Sequence, residues 1–185
     1  LLKRFGRNSG RTANAIGWFA QMLSAQGRHS ESASLARSQL DIYRAQGAPS
    51  NSLKVAFARG LIADALVAQK KWAAAVAEFG KIEQALHDDK IYSNQFFGAK
   101  PMRPIAFLMA GHVDKGVQAA QQIERWYRFL GREHYDYAEA AGILAMAQAT
   151  SGQHQEALSG FTQSVPILLQ SSRRSNRDGT SAVIQ

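Results

Sequence analysis

Cysteine is absent from the 185 residues, which removes disulfides, zinc–thiolate centres and thiol nucleophiles together. Proline is scarce, with 4 in the whole chain. No apolar run approaches the roughly 18 residues that a membrane-crossing helix needs, and no signal-peptide architecture is present. Catalytic signatures are missing as well. The histidines His29, His87, His112, His134 and His154 show no His-x-x-x-His spacing, and the glycines form no phosphate-cradling loop. His87-Asp88-Asp89 and His112-x-Asp114 are each able to bind a metal, but polar loop ends produce such clusters by chance. With no site to argue from, catalysis is not expected in this stretch, and no cofactor is implied. A cysteine-free chain suits either a cytosol or a periplasm; the lack of an export signal favours the cytoplasm, and the compartment stays open.

What the sequence does contain is repetition. Four long helical stretches each end in a short polar turn and are followed by a second helical stretch. The turns centre on Gly27, Lys70, Gly111 and Gly152, at offsets of 43, 41 and 41 residues. A unit of this size is too thin to bury its own apolar face and must stack on its neighbours. Hydrophobic residues make up 45% of the chain, enough for a continuous core. Capping and periodicity place helices from about Arg11 to Ala25 and from Ser30 to Gln46, with Ser30 as cap and Gly47 as stop. Further pairs run from Asn51 to Gln69 and Trp72 to Leu86, and from Tyr135 to Thr150 and Gln153 to Gln170, the last bent at Pro166.

The third pair breaks the pattern. Gly98, Pro101 and Pro104 shorten its first helix to about Pro101–Met109, preceded by a separate turn or short helix over Asp89 to Gly98. Its partner runs from Val113 to Leu130. Tyr92, Phe96 and Phe97 are expected to fill the void left by the short helix, burial being the usual fate of aromatics. The alternative is an aromatic clamp open to a groove.

The fourth copy places small residues where two helices touch, at Ala145, Ala157 and Ser164, and fills the gap with Phe161. The second matches it on Ala63, Trp72, Ala75, Phe79 and Ile82, and the first on Ala20, His29, Ser32, Ala36 and Gln39. The third offers Pro104, Val113, Gly116, Ala120 and Ile123. This pattern resembles the tetratricopeptide (TPR) repeat. The period exceeds the roughly 34 residues of ordinary TPRs. The segment Leu130-Gly131-Arg-Glu-His134-Tyr-Asp136-Tyr137-Ala138 is similar to the junction of the longer, kinesin-light-chain type. There Gly131 suits the residue that ends one helix, and Asp136 or His134 caps the next. Similar long units occur in bacterial peptide-sensing regulators and before CHAT protease domains, whose arrays the stretch from Phe161 to Arg174 resembles.

The resemblance implies an all-α fold, a right-handed α-solenoid of about four TPR-like hairpins. The units cover about 11–47, 51–87, 97–131 and 135–171, and 172–185 is a linker or the start of a further helix capped by Thr180 or Ser181. A chain that opens on Leu1 and closes this way is expected to belong to a longer protein.

In TPR hairpins the first helices line a concave wall. Carried over, the resemblance puts Asn14, Gly17 and Gln21 there from the first unit, and Phe57, Gly60, Asp64 and Val67 from the second. The third contributes Pro101, Ile105, Leu108 and Met109, and the fourth Glu139, Gly142 and Met146. One repeat position is occupied by Gly17, Gly60, Pro101 and Gly142. Since glycine inside a helix costs roughly 1 kcal/mol against alanine, close helix packing is the expected reason. Close approach of a bound backbone is the other. The wall lacks the Lys/Arg and Asn set of TPRs that clamp a terminal carboxylate, and it suits an extended or helical segment with apolar anchors.

The partner implied is therefore a protein or peptide, with no membrane insertion, and the oligomeric state is undetermined. One reading is a plain interaction scaffold; the other is the regulatory or sensor region of a larger enzyme or peptide-sensing regulator. The net charge of +8 gathers at Lys3, Arg4, Arg7 and Arg11 and at Arg173, Arg174 and Arg177. Scattered positions without interleaved aromatics favour a solvated surface over a nucleic-acid site.

Overall fold

A computed structural model of the chain describes residue 6 and residues 8–181, with side chains described as far as Gln170. Two compact units divide at Ser93 and Asn94. The first contains α1 (Gly10–Ala25), α2 (His29–Ala45), α3 (Leu53–Ala68) and α4 (Trp72–Ala85). A short helix, α5 (Lys90–Gly98), runs across the boundary. The second unit contains α6 (Met102–Met109), α7 (Val113–Tyr127), a 3-10 turn (Arg128–Leu130), α8 (Tyr135–Thr150) and α9 (His154–Ser181). No strand occurs among the described residues. In the first unit α1 packs on α2, α2 on α3 and α3 on α4; in the second α6 packs on α7, α7 on α8 and α8 on α9. The first helices of successive hairpins also touch, α1 with α3 and α6 with α8.

One turn design closes all four hairpins. Gly27, Lys70, Gly111 and Gly152 adopt positive φ. The amide of the following residue donates back across the turn, Arg28 to Leu23, Lys71 to Leu66, His112 to Phe107 and Gln153 to Gln148, at 2.8–2.9 Å. This is the Schellman closure, which satisfies carbonyls left open at a helix end. The same wiring corrects the expected cap at Ser30. Helix α2 starts one residue earlier, at His29, with Arg28 as its cap residue and no side-chain cap bond. The tight turn delivers the chain directly into the next helix, so Ser30 lies within the first turn.

Small residues sit where the repeat demands them. Ala20, Ala63, Pro104 and Ala145 on the first helices are buried, as are Ser32, Ala75, Gly116 and Ala157 on the second. A Cβ on Gly116 would lie 2.5 Å from Leu108 Cδ2, and one on Gly160 would lie 2.8 Å from Ala145 Cβ. The helices approach this closely only because those side chains are absent. Phe79 fills its gap completely, a position where truncation to alanine costs about 3–5 kcal/mol; Phe161 is only half-buried. In the second unit Leu108, Ala120, Ile143 and Ala147 form the apolar centre that joins its two hairpins.

Glu78 and Glu124, both largely covered, are each held by two partners. Arg59 on α3 meets Glu78 on α4 at 2.7 Å, and Lys81 adds a second bond to Glu78 at 2.5 Å. Glu124 on α7 accepts from Arg128 at 2.7 Å and from the Tyr137 hydroxyl at 2.9 Å. Gly131 takes φ 85° and ψ 159°, a conformation open mainly to glycine. His134 then caps α8, its Nδ1 accepting from the Asp136 amide at 3.2 Å.

The third pair resolves into the two pieces expected, with Pro101 as the cap residue of α6. Phe97 is fully buried and meets Phe96 edge to face at 5.2 Å, while the Arg103 guanidinium lies 4.1 Å above the Phe97 ring. Tyr92 corrects the expectation of burial: it is 44% exposed. Trp126 takes part of the filling role instead, its ring pressed against Gly98 where a Cβ would come within 2.6 Å. Helix α9 continues past Gln170 to Ser181 with Pro166 inside it. Residues 182–185 lie outside the described residues, as do Lys3, Arg4, Arg7 and the side chains of Arg173, Arg174 and Arg177.

Candidate functional site

Alternation of the first helices puts α1 and α3 side by side in the first unit, and a groove of about 340 Å³ opens between them. Its lining is Asn14, Gly17, Trp18 and Gln21 from α1, Leu53, Lys54 and Phe57 from α3, and Gln39 and Tyr43 from α2 below. Four residues of the sequence-derived wall, Asn14, Gly17, Gln21 and Phe57, thus come together. Trp18, Leu53 and Phe57 are exposed large apolar side chains, which leaves the groove an aromatic rim over a polar floor.

The floor is a hydrogen-bond relay. Gln39 Nε2 donates to Tyr43 Oη at 3.2 Å, and the Tyr43 hydroxyl donates to Asn14 Oδ1 at 2.6 Å. Gln39 and Tyr43 are buried, whereas Asn14 is exposed. With its oxygen engaged by Tyr43, Asn14 keeps an NH2 donor at the groove surface. Gln39 Oε1 is buried without a hydrogen-bond partner. Apolar contact area with a few oriented amide donors is the chemistry that holds an extended peptide.

Of the glycines at the recurring position, Gly17 has no room for a side chain and Gly142 has a little. A Cβ on Gly17 would fall 2.4 Å from Gln39 Nε2, and a Cβ on Gly142 would lie 3.4 Å from Ser164 Oγ. Gln39 and Ser164 occupy matching places in their hairpins, so each glycine faces the second helix of its own hairpin. Gly60 is buried on α3.

Other wall positions fare differently. Asp64 is half-buried, Val67 is buried, and Leu108 belongs to the apolar centre of the second unit, so Val67 and Leu108 serve packing. Met109 is exposed, and Ile105, Met146 and Gly142 are partly covered. Glu139 is half-buried; burial first, and then the nearby Asp136 carboxylate, hold its carboxyl above the usual carboxylate range. Clefts of the second unit lie instead along Tyr137, Ala141 and Gln163. Neither of these two clefts is lined by Ile105, Met109, Glu139 or Met146.

Sequence reasoning missed Trp18, Leu53 and Lys54. Trp18 follows Gly17 by one residue, and its repeat equivalents Leu61 and Ile143 are buried. A larger first cleft, about 890 Å³, runs from Tyr43 past the Ala48-Pro49 connector to Leu86 and Tyr92. It is lined by backbone-rich turns and by Asp88 and Asp89, with Lys54 as its cation. His87 and Asp88 stand 3.9 Å apart and fully in solvent. No group of three or more metal-ligating side chains occurs among the described residues. No helix among them is long and apolar enough to cross a membrane.

No family model and no curated protein matches the chain in sequence. Solved structures do match it in shape. Nearly identical TPR-like repeats assigned to a kinesin light chain of Podosopora anserina align with a TM-score of 0.65 at 19% identity, over 92% of this chain and 81% of that one. A second structure of those repeats gives 0.63 at 19%, over 92% and 82%. BtubC (BKLC) from P. vanneervenii gives 0.66 at 14%, over 87% of this chain and 65% of that one. The chain therefore has the fold of TPR-like helical repeats of the kinesin-light-chain kind.

Proposed function

We propose that the chain is a non-catalytic protein-interaction scaffold whose first unit binds an extended peptide segment between α1 and α3. The observation that supports this reading most directly is the groove itself. Trp18, Leu53 and Phe57 are left exposed above a relay that orients Asn14. A monomer has no internal use for such an apolar rim, and exposed contiguous apolar surface of this kind usually marks an interaction site. Binding would combine apolar anchors seated beside Phe57 and Trp18 with a main-chain carbonyl accepting from the Asn14 amide. Lys54 at the rim favours a segment without a cation at that point.

A library of displayed random peptides, selected against the whole chain, tests the proposal. Selected peptides are expected to bind in the micromolar range typical of short segments, and to lose roughly tenfold or more in affinity with Phe57→Ala or Asn14→Ala. Circular dichroism of both variants should match the parent. Failure to select any binder, or binders indifferent to both substitutions, would sink the proposal.

A further inference from the structure

The groove between α1 and α3 does not end at α3. Tyr43, Leu53 and Lys54 line both the groove and the larger cleft of about 890 Å³, so one passes into the other over the first turn of α3. Beyond α3 the lining continues to Leu86 and to Tyr92 on α5. The whole path lies within the first unit.

Chemistry changes along this path. Leu53 and Tyr92 are exposed in the cleft, as Trp18 and Phe57 are in the groove. Two carboxylates stand beside Tyr92. Asp89 Oδ1 accepts from the Tyr92 amide at 3.0 Å, while Asp88 projects into solvent 3.9 Å from His87 Nδ1. Among the described residues no lysine or arginine pairs with either, in a chain that carries 22 basic residues. Acceptors without donors lie along the same path. Gln39, 3% exposed, leaves Oε1 without a partner in the groove. In the cleft the Ser52 hydroxyl, at the cap position of α3, makes no cap bond and is shielded from solvent with no partner. An extended chain brings an N–H to each side at every second residue, which is what such acceptors lack.

We infer that the segment held between α1 and α3 continues over Leu53 into this cleft and sets a lysine or arginine side chain there, its stem along Leu53 and Tyr92 and its charge at Asp88 and Asp89. The inference rests on the reading of the groove as a peptide site. A long basic side chain suits the place, because its stem covers apolar surface while its head stays at the polar edge. A cation over the open face of Tyr92 is attracted by the ring as well. Lys54 sets the order along the segment: the residue passing it is neutral or acidic, and the basic residue follows beyond α3. A helix spacing of about 8–10 Å, at about 3.3 Å per extended residue, puts the basic residue roughly three positions from the apolar anchor.

Random displayed peptides of about nine residues, long enough to cover groove and cleft together, are selected against the whole chain. The binders are expected to carry lysine or arginine about three residues from an apolar anchor. Changing that residue to glutamine in the peptide should weaken binding to the parent chain about tenfold, and less so at high salt. The same change should matter little on Asp88→Asn/Asp89→Asn. Asparagine keeps the acceptor that Asp89 offers to α5, so the circular dichroism of this variant should match the parent. Binders that weaken with Phe57→Ala but ignore both the peptide's basic residue and the aspartate pair leave the groove reading standing and overturn the inference. A basic residue felt equally by the parent and the aspartate variant overturns it too. If no binder is selected, or binders are indifferent to Phe57→Ala, the groove reading falls and this inference falls with it.

Discussion

The Tyr43 hydroxyl on α2 donates to Asn14 Oδ1 on α1 at 2.6 Å, tying residues 29 positions apart into one relay that begins at buried Gln39. The bond belongs to the core at one end and to the groove at the other. Tyr43→Phe should therefore have two separable effects. The Gln39 amide loses its acceptor inside the protein, at a cost of about 1–3 kcal/mol in urea unfolding. Asn14 loses the bond that orients it, and peptide affinity should fall while the apolar rim is intact.

The two packing glycines predict opposite responses to alanine. Gly17→Ala forces the confined Gln39 amide aside and breaks the relay, which offsets the roughly 1 kcal/mol gained in helix propensity. Gly142→Ala meets Ser164 Oγ at 3.4 Å, close enough to need only a small adjustment. Thermal unfolding should place Gly142→Ala at least about 1 kcal/mol above Gly17→Ala. Adding Gln39→Ser, which copies the pairing of the fourth hairpin, should relieve the crowding at Gly17→Ala.

Lys70 is a non-glycine residue with φ 58°, at the position where the other three hairpin turns carry glycine. The left-handed conformation costs an L-residue about 1–2 kcal/mol, part of which glycine returns through its freer unfolded chain. Lys70→Gly is expected to raise stability by about 0.5–1 kcal/mol, read as a higher midpoint in urea with an unchanged slope. A loss of stability would show that the Lys70 side chain contributes more than its backbone costs.

Two carboxyls should respond to pH in opposite senses. Burial pushes Glu78 up, but hydrogen bonds from Lys81 and Arg59 outweigh it and hold the carboxyl below its ordinary value. Its stabilisation is present above the unfolded value near about 4.3 and is lost as pH falls through the lower folded value. Glu78→Gln should cost about 3 kcal/mol at pH 7, because Arg59 is left buried without its partner, and the difference should close in acid. Glu139 is raised, so its folded form holds the proton more tightly than the unfolded chain does. Glu139→Gln should increase stability at pH 7, and the gain should vanish below the unfolded value of about 4.3. Urea titrations at a series of pH values test both.

Much of the fold was legible because its period is written in backbone chemistry. Gly27, Gly111 and Gly152 mark positive-φ turns, and small residues such as Ala20, Ala63 and Ala145 mark the helix contacts. Lys70 shows the limit of residue type, since the same turn forms there without glycine. Ser30 misled because a capping residue is redundant where the backbone closure already fixes the helix start. Repeat position named Asn14, Gly17, Gln21 and Phe57, which line the proposed groove together. It also offered Val67 and Leu108, because position on a helix says which way a side chain points but not whether a neighbouring helix covers it. Trp18 was illegible for the converse reason: its equivalents Leu61 and Ile143 are buried, whereas Trp18 is exposed.

The indole of Trp18, 68% exposed at the groove, sits in water, while that of Trp126 leans on Gly98. The molecule thus carries its own optical gauge. A ligand entering the groove should shift the emission of Trp18 to the blue at constant helicity. Loosening of the α5–α7 contact should instead redden Trp126. With Trp72, the third indole, replaced by phenylalanine throughout, and then Trp18 or Trp126 in turn, a single cuvette would tell occupancy from melting, with no dye attached to either unit.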